Sequence, residues 1–348
     1  MPVKIEEEKM IKTILNLHRS TTCWSRVNGM NSIMQRNYTI AHYVDIHDQR
    51  VIVKMSNELE AKCSVKIENV IESPQFTNWL KAMSNTVEEY KLAMSTPNPE
   101  YVAPGAQWQD LIIKEIEIQS LDTFGSRHYI GFIKFKVNIF IRKSKQVAKT
   151  VEVNTPLSQH GSSNTSSTYS KIVKKSEEEL LPLPGIVFSR GGSVGILIVL
   201  VCEGKEYLLL VQQPRIPIGT LKNLELPAGS IDENGFTKKL VAAKEVYEET
   251  GIEIKDTDLI DLSDLCFGND FNGHYLSPGA SDEYMRFFLY KTDITKEKLE
   301  SLRGKYTGCE NENEFIQLRI MEIDEAPRRV PDGKLIMALY LYNTYIKK

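Results

Sequence analysis

PAGSIDENGFTKKLVAAKEVYEETGI, residues 227–252, is the stretch on which the reading of this chain turns. It leaves an apolar run, passes through a loop containing Gly229 and Gly235, and enters a helical pattern that stops at Gly251. On that helix Glu245, Glu248 and Glu249 stand at i, i+3 and i+4, so three carboxylates share one face. Leu240, Ala243, Val246 and Tyr247 are expected on the opposite, apolar face. Like charges at this spacing oppose helix formation by a few tenths of a kcal/mol per pair, roughly, so a neutralising partner is called for. Hard carboxylate oxygens suit Mg²⁺ or Mn²⁺, ions that bridge carboxylates to phosphates and acidify a bound water. By itself K-E-x-x-E-E more commonly means a solvated acidic face, and the flanking sequence must decide.

Working outward, Val194–Cys202 and Tyr207–Gln213 are apolar runs of strand length on either side of Glu203-Gly204-Lys205, which predicts a buried hairpin. Before the prolines at 182 and 184 the texture differs. Leu111–Ile118 and Tyr129–Ile141 read as strands, the second because Ile133, Phe135, Val137 and Ile139 alternate with polar or small neighbours; a bend near Gly125 would make a meander. Ser73-Pro74 matches an N-cap followed by proline at the first helical position, opening a helix to Met94 with Phe76, Trp79, Leu80 and Met83 on its inner side. Val147–Glu179 holds SQHGSSNTSSTYS and then Lys and Glu runs, with too few apolar residues to offset ordering entropy, and disorder is expected there. In residues 1–60 only Tyr43–Val53 looks strand-like, and their structure is left open.

A length of 348 residues suits two domains, each with its own core. Forty-three Lys+Arg against 46 Asp+Glu, net −3, supply no overall field for nucleic acid or an anionic membrane, so a polyanion would have to be met by a local site. Cys23, Cys63, Cys202, Cys266 and Cys309 are scattered and odd in number, which argues against a disulfide framework or a zinc site and for a reducing compartment. No apolar run approaches the roughly 20 residues that span a bilayer. The start MPVKIEEEK is acidic, but Met10–Val44 lacks Asp and Glu and carries Arg19, Arg26 and Arg36 among Ser and Thr. The cytoplasm is the expected compartment, with mitochondrion or plastid the alternative that this stretch raises.

The glycine loop and acidic helix resemble the Nudix box, G-x5-E-x7-R-E-U-x-E-E-x-G-U with U a bulky apolar residue. Its second half is matched by KEVYEETGI, with Lys244 in place of Arg; the loop is one residue longer and has Phe236 where Glu would stand. Lysine keeps the charge but loses the forked geometry of arginine. A longer loop with an apolar residue resembles the nucleotide-sugar diphosphatase branch, and the likeness runs from about Ile67 to Tyr345 outside the Ser-rich stretch, including VQQPRIP, LELPAG and LSPGASDEY. The resemblance implies that the Ala228 carbonyl, Glu245 and Glu249 hold Mg²⁺, with Glu248 a ligand or its close partner and Glu314 a further ligand candidate beside Glu310 and Glu312. It implies Glu283 as general base, and Arg190 and Arg215 as substrate-binding residues, although either arginine equally suits a structural ion pair. His274 and Tyr275 precede the SPG loop and carry no assignment.

The fold class this implies is α/β: a Nudix α/β/α sandwich with a mixed sheet over 182–348 and a smaller, mostly β domain over 61–146. An extension over 1–60 and a disordered insertion over 147–181 complete the expected organisation. The implied activity is Mg²⁺-dependent hydrolysis of the diphosphate of an ADP-sugar or UDP-sugar, with ADP-ribose overlapping, in a homodimer; no membrane partner is expected, and the charge balance gives no reason to expect nucleic acid. The rival, motivated by Lys244 and the Ser-rich insertion, is a module that binds nucleotide or an RNA 5′ end without turnover.

Overall fold

The computed structural model describes residues 39–95, 110–124, 129–155, 167–231, 237–268, 270–308 and 314–347. Contacts divide the chain into two units: 1–68, 80–119 and 135–186 form the first, and 69–79, 120–134 and 187–348 the second.

A sheet to which the first unit contributes most of the residues is made of β1 (Thr39–Ile46), β2 (Gln49–Ser56), β3 (Asp110–Phe124), β4 (Tyr129–Thr155) and β5 (Ser167–Pro182), adjacent in that order, with β6 (Ile186–Ser189) also pairing β4. The open region near Tyr43 is the hairpin β1–β2, and β2 then runs parallel to β3 from Ile52↔Glu115 to Met55↔Ile118. Period-2 alternation buries Val51, Val53 and Met55 on β2 and Ile133, Phe135, Val137 and Ile139 on β4, as expected for strands with one covered face. The expected helix runs Pro74–Ser95, with Ser73 Oγ accepting from the Phe76 N–H at 3.4 Å and Phe76 fully buried.

Disorder was expected over 147–181, and there the backbone differs. β4 and β5 pair antiparallel from Phe140↔Pro182 to Thr155↔Ser167. Once Phe140 and Pro182 are joined, each further pair adds ladder hydrogen bonds and shortens the loop still to be closed, so composition alone underrates the order. The remainder of that stretch, 156–166, lies outside the described residues, as does the bend near Gly125.

The second unit has β7 (Gly192–Cys202) at its centre, parallel to β13 (Tyr284–Asp293) and antiparallel to β8 (Lys205–Arg215), which makes the sheet mixed. The path is β11 (Ile260–Asp261), β13, β7, β8, β15 (Ile316–Glu322), β14 (Tyr306–Thr307); β9 (Thr220–Glu225) pairs β8, β10 (Ala228–Ser230) pairs β7, and β12 (His274–Tyr275) pairs β13. Every residue from Ser193 to Leu200 is buried because both faces are covered. Val194, Ile196 and Ile198 meet Val241, Ala242 and Val246 of the helix Lys238–Thr250, while Leu197 and Val199 meet Leu335, Ala338 and Leu339 of the helix Gly333–Tyr345. Each such side chain contributes about 1.5–3 kcal/mol of burial. This is the expected α/β/α sandwich, and the predicted hairpin closes at Glu203 (φ 50°) and Gly204 (φ 78°). No described helix is long and apolar enough to cross a membrane.

A polar clamp ties the C-terminal helix to this sheet. Glu206 accepts from Lys291 (2.7 Å) and the Tyr342 hydroxyl (2.6 Å), and Lys347 stands 3.1 Å from its other oxygen. Burial works against the charge on Glu206, but these donors outweigh it and hold the carboxyl down to about 2. A depressed carboxyl stabilises the fold above its unfolded value and ceases to do so as pH falls through its folded one. Glu206→Gln is therefore expected to cost roughly 2–3 kcal/mol at neutral pH. In thermal unfolding, its deficit against the parent should hold steady above about pH 5 and shrink as pH falls from about 4 toward 2.

Candidate active site

The helix Lys238–Thr250 is delimited by chemistry already visible in its ends. Thr237 caps it, its Oγ1 accepting from the Leu240 N–H at 3.3 Å, and Gly251 ends it at φ 71° with its N–H on Tyr247 O at 2.8 Å. Its inward face differs from expectation. Leu240 is 41% and Tyr247 59% exposed, whereas Val241, Ala242, Ala243 and Val246 are buried together with Glu249, at 3% exposed. At about 100° per residue, Leu240 and Tyr247 stand on the side opposite Glu249, and the sheet takes the side of Glu249. The acidic stripe is thus turned partly into the protein.

The strand β10 explains how a carboxylate is tolerated there. Ala228↔Gly195 and Gly229↔Val194 place the loop's first residues on the edge of β7, under the helix. The Ala228 N–H donates to Glu249 Oε2 at 3.1 Å. A β-carbon at Gly229 would lie 1.9–2.4 Å from the carboxyl atoms of Glu245, so only glycine leaves that carboxylate its place. Burial first, then the charge of Glu245, push the Glu249 carboxyl well above the usual range; Glu314 and Glu225 add to the shift, and the Ala228 N–H opposes it. Thr307 Oγ1 donates to the Glu249 carbonyl at 2.5 Å and fastens the backbone at the same point.

These groups fit a hard divalent cation. Among the described residues no three His, Cys, Asp or Glu already form a set able to hold an ion. What exists is a pair of oxygen-donor side chains, Glu245 and Glu249, flanking the Ala228–Gly229 backbone and repelling one another in a desolvated position. A cation would relieve that repulsion. Glu248 lies nearer the rim and pairs with Lys244 at 2.9 Å, so the lysine that replaces arginine still meets a box carboxylate. Glu314 follows Gly308 closely in space, where a β-carbon would meet its carbonyl at 2.7 Å. Glu310, Glu312 and Phe236 lie outside the described residues.

Glu283 arrives from the SPG loop at the start of β13. Its Oε1 receives the Ser193 hydroxyl at 3.1 Å and faces Arg190 Nη1 at 3.3 Å. The neighbouring Asp282 is consumed by structure: it accepts from Ser189 Oγ (2.6 Å) and the Arg190 N–H (2.9 Å), docking the loop onto the turn before β7. Arg190 also lies 5.4 Å over the Phe132 ring, which stacks on Phe188. The structure therefore brings Arg190 to Glu283. Arg215 goes elsewhere, its Nε 2.6 Å from Glu225, a carboxylate 2% exposed and also bound by Lys334 at 2.5 Å. Burial opposes the charge of Glu225, but Lys334 and Arg215 hold it below the usual range. Of the two roles open to Arg215 in the sequence, this geometry is that of the structural ion pair.

Ser193, Asp282 and Glu225 were not singled out by sequence. Glu225 carried a weak signal, an acid between Leu224 and Leu226 in a short strand; Ser193 carried none. His274 packs between Phe267 (4.8 Å between centroids) and Phe287 (5.6 Å), and burial, then Arg286, hold its imidazole below the usual range.

Residues 190–340 match the NUDIX domain. A relative from Arabidopsis thaliana, "Nudix hydrolase 14, chloroplastic", is 32% identical over 281 residues, covering 80% of this chain and 73% of that protein. Among solved structures, one titled as an ADP compounds hydrolase aligns at TM-score 0.37 and 14% identity over 70% of this chain and 97% of its own. A Caenorhabditis elegans Ap4A hydrolase binary complex aligns at TM-score 0.31 and 17% identity over 45% and 97%.

Gly229→Ala isolates the close approach of loop and helix. Because the atoms displaced belong to the end of a flexible side chain, stability should fall by less than about 1 kcal/mol. Hydrolytic activity with Mg²⁺ should fall about 100-fold or more, since the displaced carboxylate is the one nearest the loop; thermal unfolding and initial rates measured side by side check both halves.

Proposed function

This chain belongs to the Nudix hydrolase family, and on that footing we propose that it hydrolyses the diphosphate of a nucleoside diphosphate sugar, an ADP-sugar or UDP-sugar with ADP-ribose as an overlapping substrate. From an ADP-sugar or UDP-sugar the products are a nucleoside monophosphate and a sugar 1-phosphate, and from ADP-ribose they are AMP and ribose 5-phosphate. The observation that carries the reading is the placement of Glu245 against Gly229 and of Glu249 on the Ala228 N–H, two carboxylates gathered at one loop, with burial and the charge of Glu245 pushing Glu249 well above the usual carboxylate range.

In this reading Glu245, Glu249 and the Ala228 carbonyl hold Mg²⁺, for which Mn²⁺ can substitute, with Glu314 and Glu248 completing or supporting the set. When bound, the ion withdraws charge from the diphosphate and lowers the pKa of water. Glu283 takes the proton from the attacking water. Its Oε1 is held by Ser193 and Arg190, which leaves Oε2 to accept. Asp282 fixes the loop that delivers it. Arg190 thus acts through Glu283, and Arg215 supports the site through the buried Glu225. A homodimer belongs to the same reading. The chloroplastic name of the Arabidopsis relative and the acid-free Met10–Val44 favour an organelle over the cytoplasm as the compartment to test first.

Purified protein with Mg²⁺ should cleave members of a nucleotide-sugar panel to monophosphate and sugar 1-phosphate, and Glu245→Gln should lower the rate at least about 100-fold. No cleavage of any member, together with metal-independent nucleotide binding, would instead establish the binding module. Arg190→Gln separates two roles: orienting Glu283 predicts a kcat lowered about 10- to 100-fold at nearly constant KM, whereas a phosphate contact made before reaction would raise KM.

A further inference from the structure

Lys238 opens the catalytic helix and stands seven residues before Glu245 and eleven before Glu249. At about 3.6 residues per turn these three positions fall within about 40° of arc, so Lys238 continues the carboxylate stripe about 10.5 Å toward the helix N-terminus from Glu245. The neighbouring chain runs in step. Glu249 meets Ala228, Glu245 meets Gly229, and beyond them the Ile231 N–H bonds Gly192 O, whose residue packs under the Tyr284 ring. Lys238 Nζ lies 5.6 Å over that ring. The lysine therefore occupies the same end of the sheet that carries Glu283, the residue before Tyr284.

Among the described residues its hydrogen-bond partners are neutral. The ammonium is 3.3 Å from the Asn272 carbonyl and 3.4 Å from Asn272 Oδ1, both neutral acceptors. Among the described residues no carboxylate pairs with it. Asp261 is taken by Arg286 at 2.6 Å, and the same guanidinium reaches Asp264 at 3.4 Å. The exposed Tyr275 ring meets edge-on, 6.5 Å between centroids, the same Tyr284 ring over which the ammonium lies. A half-buried ammonium on neutral partners gains most from an anion, and an exposed tyrosine offers a face to the apolar side of a sugar ring.

We infer that Lys238, with Asn272 and the Tyr275–Tyr284 pair, forms a subsite for an anionic group at the end of the substrate remote from the cleaved bond. The favoured substrates are then nucleoside diphosphate sugars bearing a carboxylate or phosphate on the sugar, ahead of those with a neutral hexose. This rests on the nucleotide-sugar reading above and names a subclass within it.

Three probes share one ring and one anomeric phosphate: glucose 1-phosphate, glucuronate 1-phosphate and glucose 1,6-bisphosphate. By calorimetry on the full chain with Mg²⁺, at least one of the two anionic probes should bind tenfold or more tightly than glucose 1-phosphate, and which one does identifies carboxylate or phosphate. Lys238→Gln should abolish that preference while the affinity for glucose 1-phosphate stays within twofold, and Lys238→Arg should retain most of it. Equal affinities for all three in the parent protein overturn the inference. So does a Lys238→Gln variant that weakens all three alike, the signature of a tether holding the Asn272 loop. Cleavage of nucleotide sugars with no such preference removes the subsite and leaves the hydrolase reading standing; a protein that neither cleaves any nucleotide sugar nor binds these probes removes both.

Discussion

The Ala228–Gly229 backbone lies so close to the helix Lys238–Thr250 that one of its N–H groups binds a glutamate and its α-carbon leaves room only for the carboxylate of another. The arrangement of the second unit serves that approach. It requires β10 to sit on the edge of β7 in one register, because a slip of one residue would put Ser230 or Ala228 under Glu245, where a β-carbon displaces the carboxylate. It requires β7 to be covered on both faces, so that the helix is pressed down by Val241, Ala242 and Val246 against Val194, Ile196 and Ile198. It also requires Thr307, from the far side of the sheet path, to hold the helix end at Glu249.

Such an approach has an electrostatic cost that the protein carries openly. Glu249 is buried beside Glu245, within the field of Glu314 and Glu225, with a single backbone donor to offset them. Elsewhere the same chain treats buried acids differently: Glu225 has Arg215 and Lys334, and Glu206 has Lys291, Lys347 and Tyr342. The contrast is between carboxylates held low by built-in cations and Glu249, which burial and the charge of Glu245 hold high. Asp282 and Glu283 differ within one dipeptide, the first saturated by Ser189 and the turn before β7, the second held by one oxygen only.

Much of this was legible in the residues. The helix stop at Gly251, the hairpin at Glu203-Gly204, the alternation on β4 and the buried strand β7 all follow from local spacing and composition. The inward turn of Glu249 was not, since KEVYEETG fits a solvated acidic helix equally well and only the sheet beneath decides which side faces in. Leu240 and Tyr247 misled for the same reason. Their hydrophobicity argues for burial, but the helix has one buried side and it belongs to Glu249. The ladder of β4 and β5 escaped notice because residues 147–181 were weighed by composition, while its backbone hydrogen bonds inherit their register from Phe140 and Pro182.

The sequence by itself determined what is periodic and near in the chain: the carboxylate spacing, the helix stop at Gly251, the glycine before the helix, and the family those features belong to. Tertiary structure alone decided the partnerships: Arg190 with Glu283 rather than in isolation, Arg215 with Glu225, Ser193 beneath the SPG loop, and Lys238 on neutral acceptors. The physical reason is that spacing along one helix or strand follows from backbone geometry, whereas pairing across tens of residues depends on which strands neighbour one another and in what register. No local pattern carries that information.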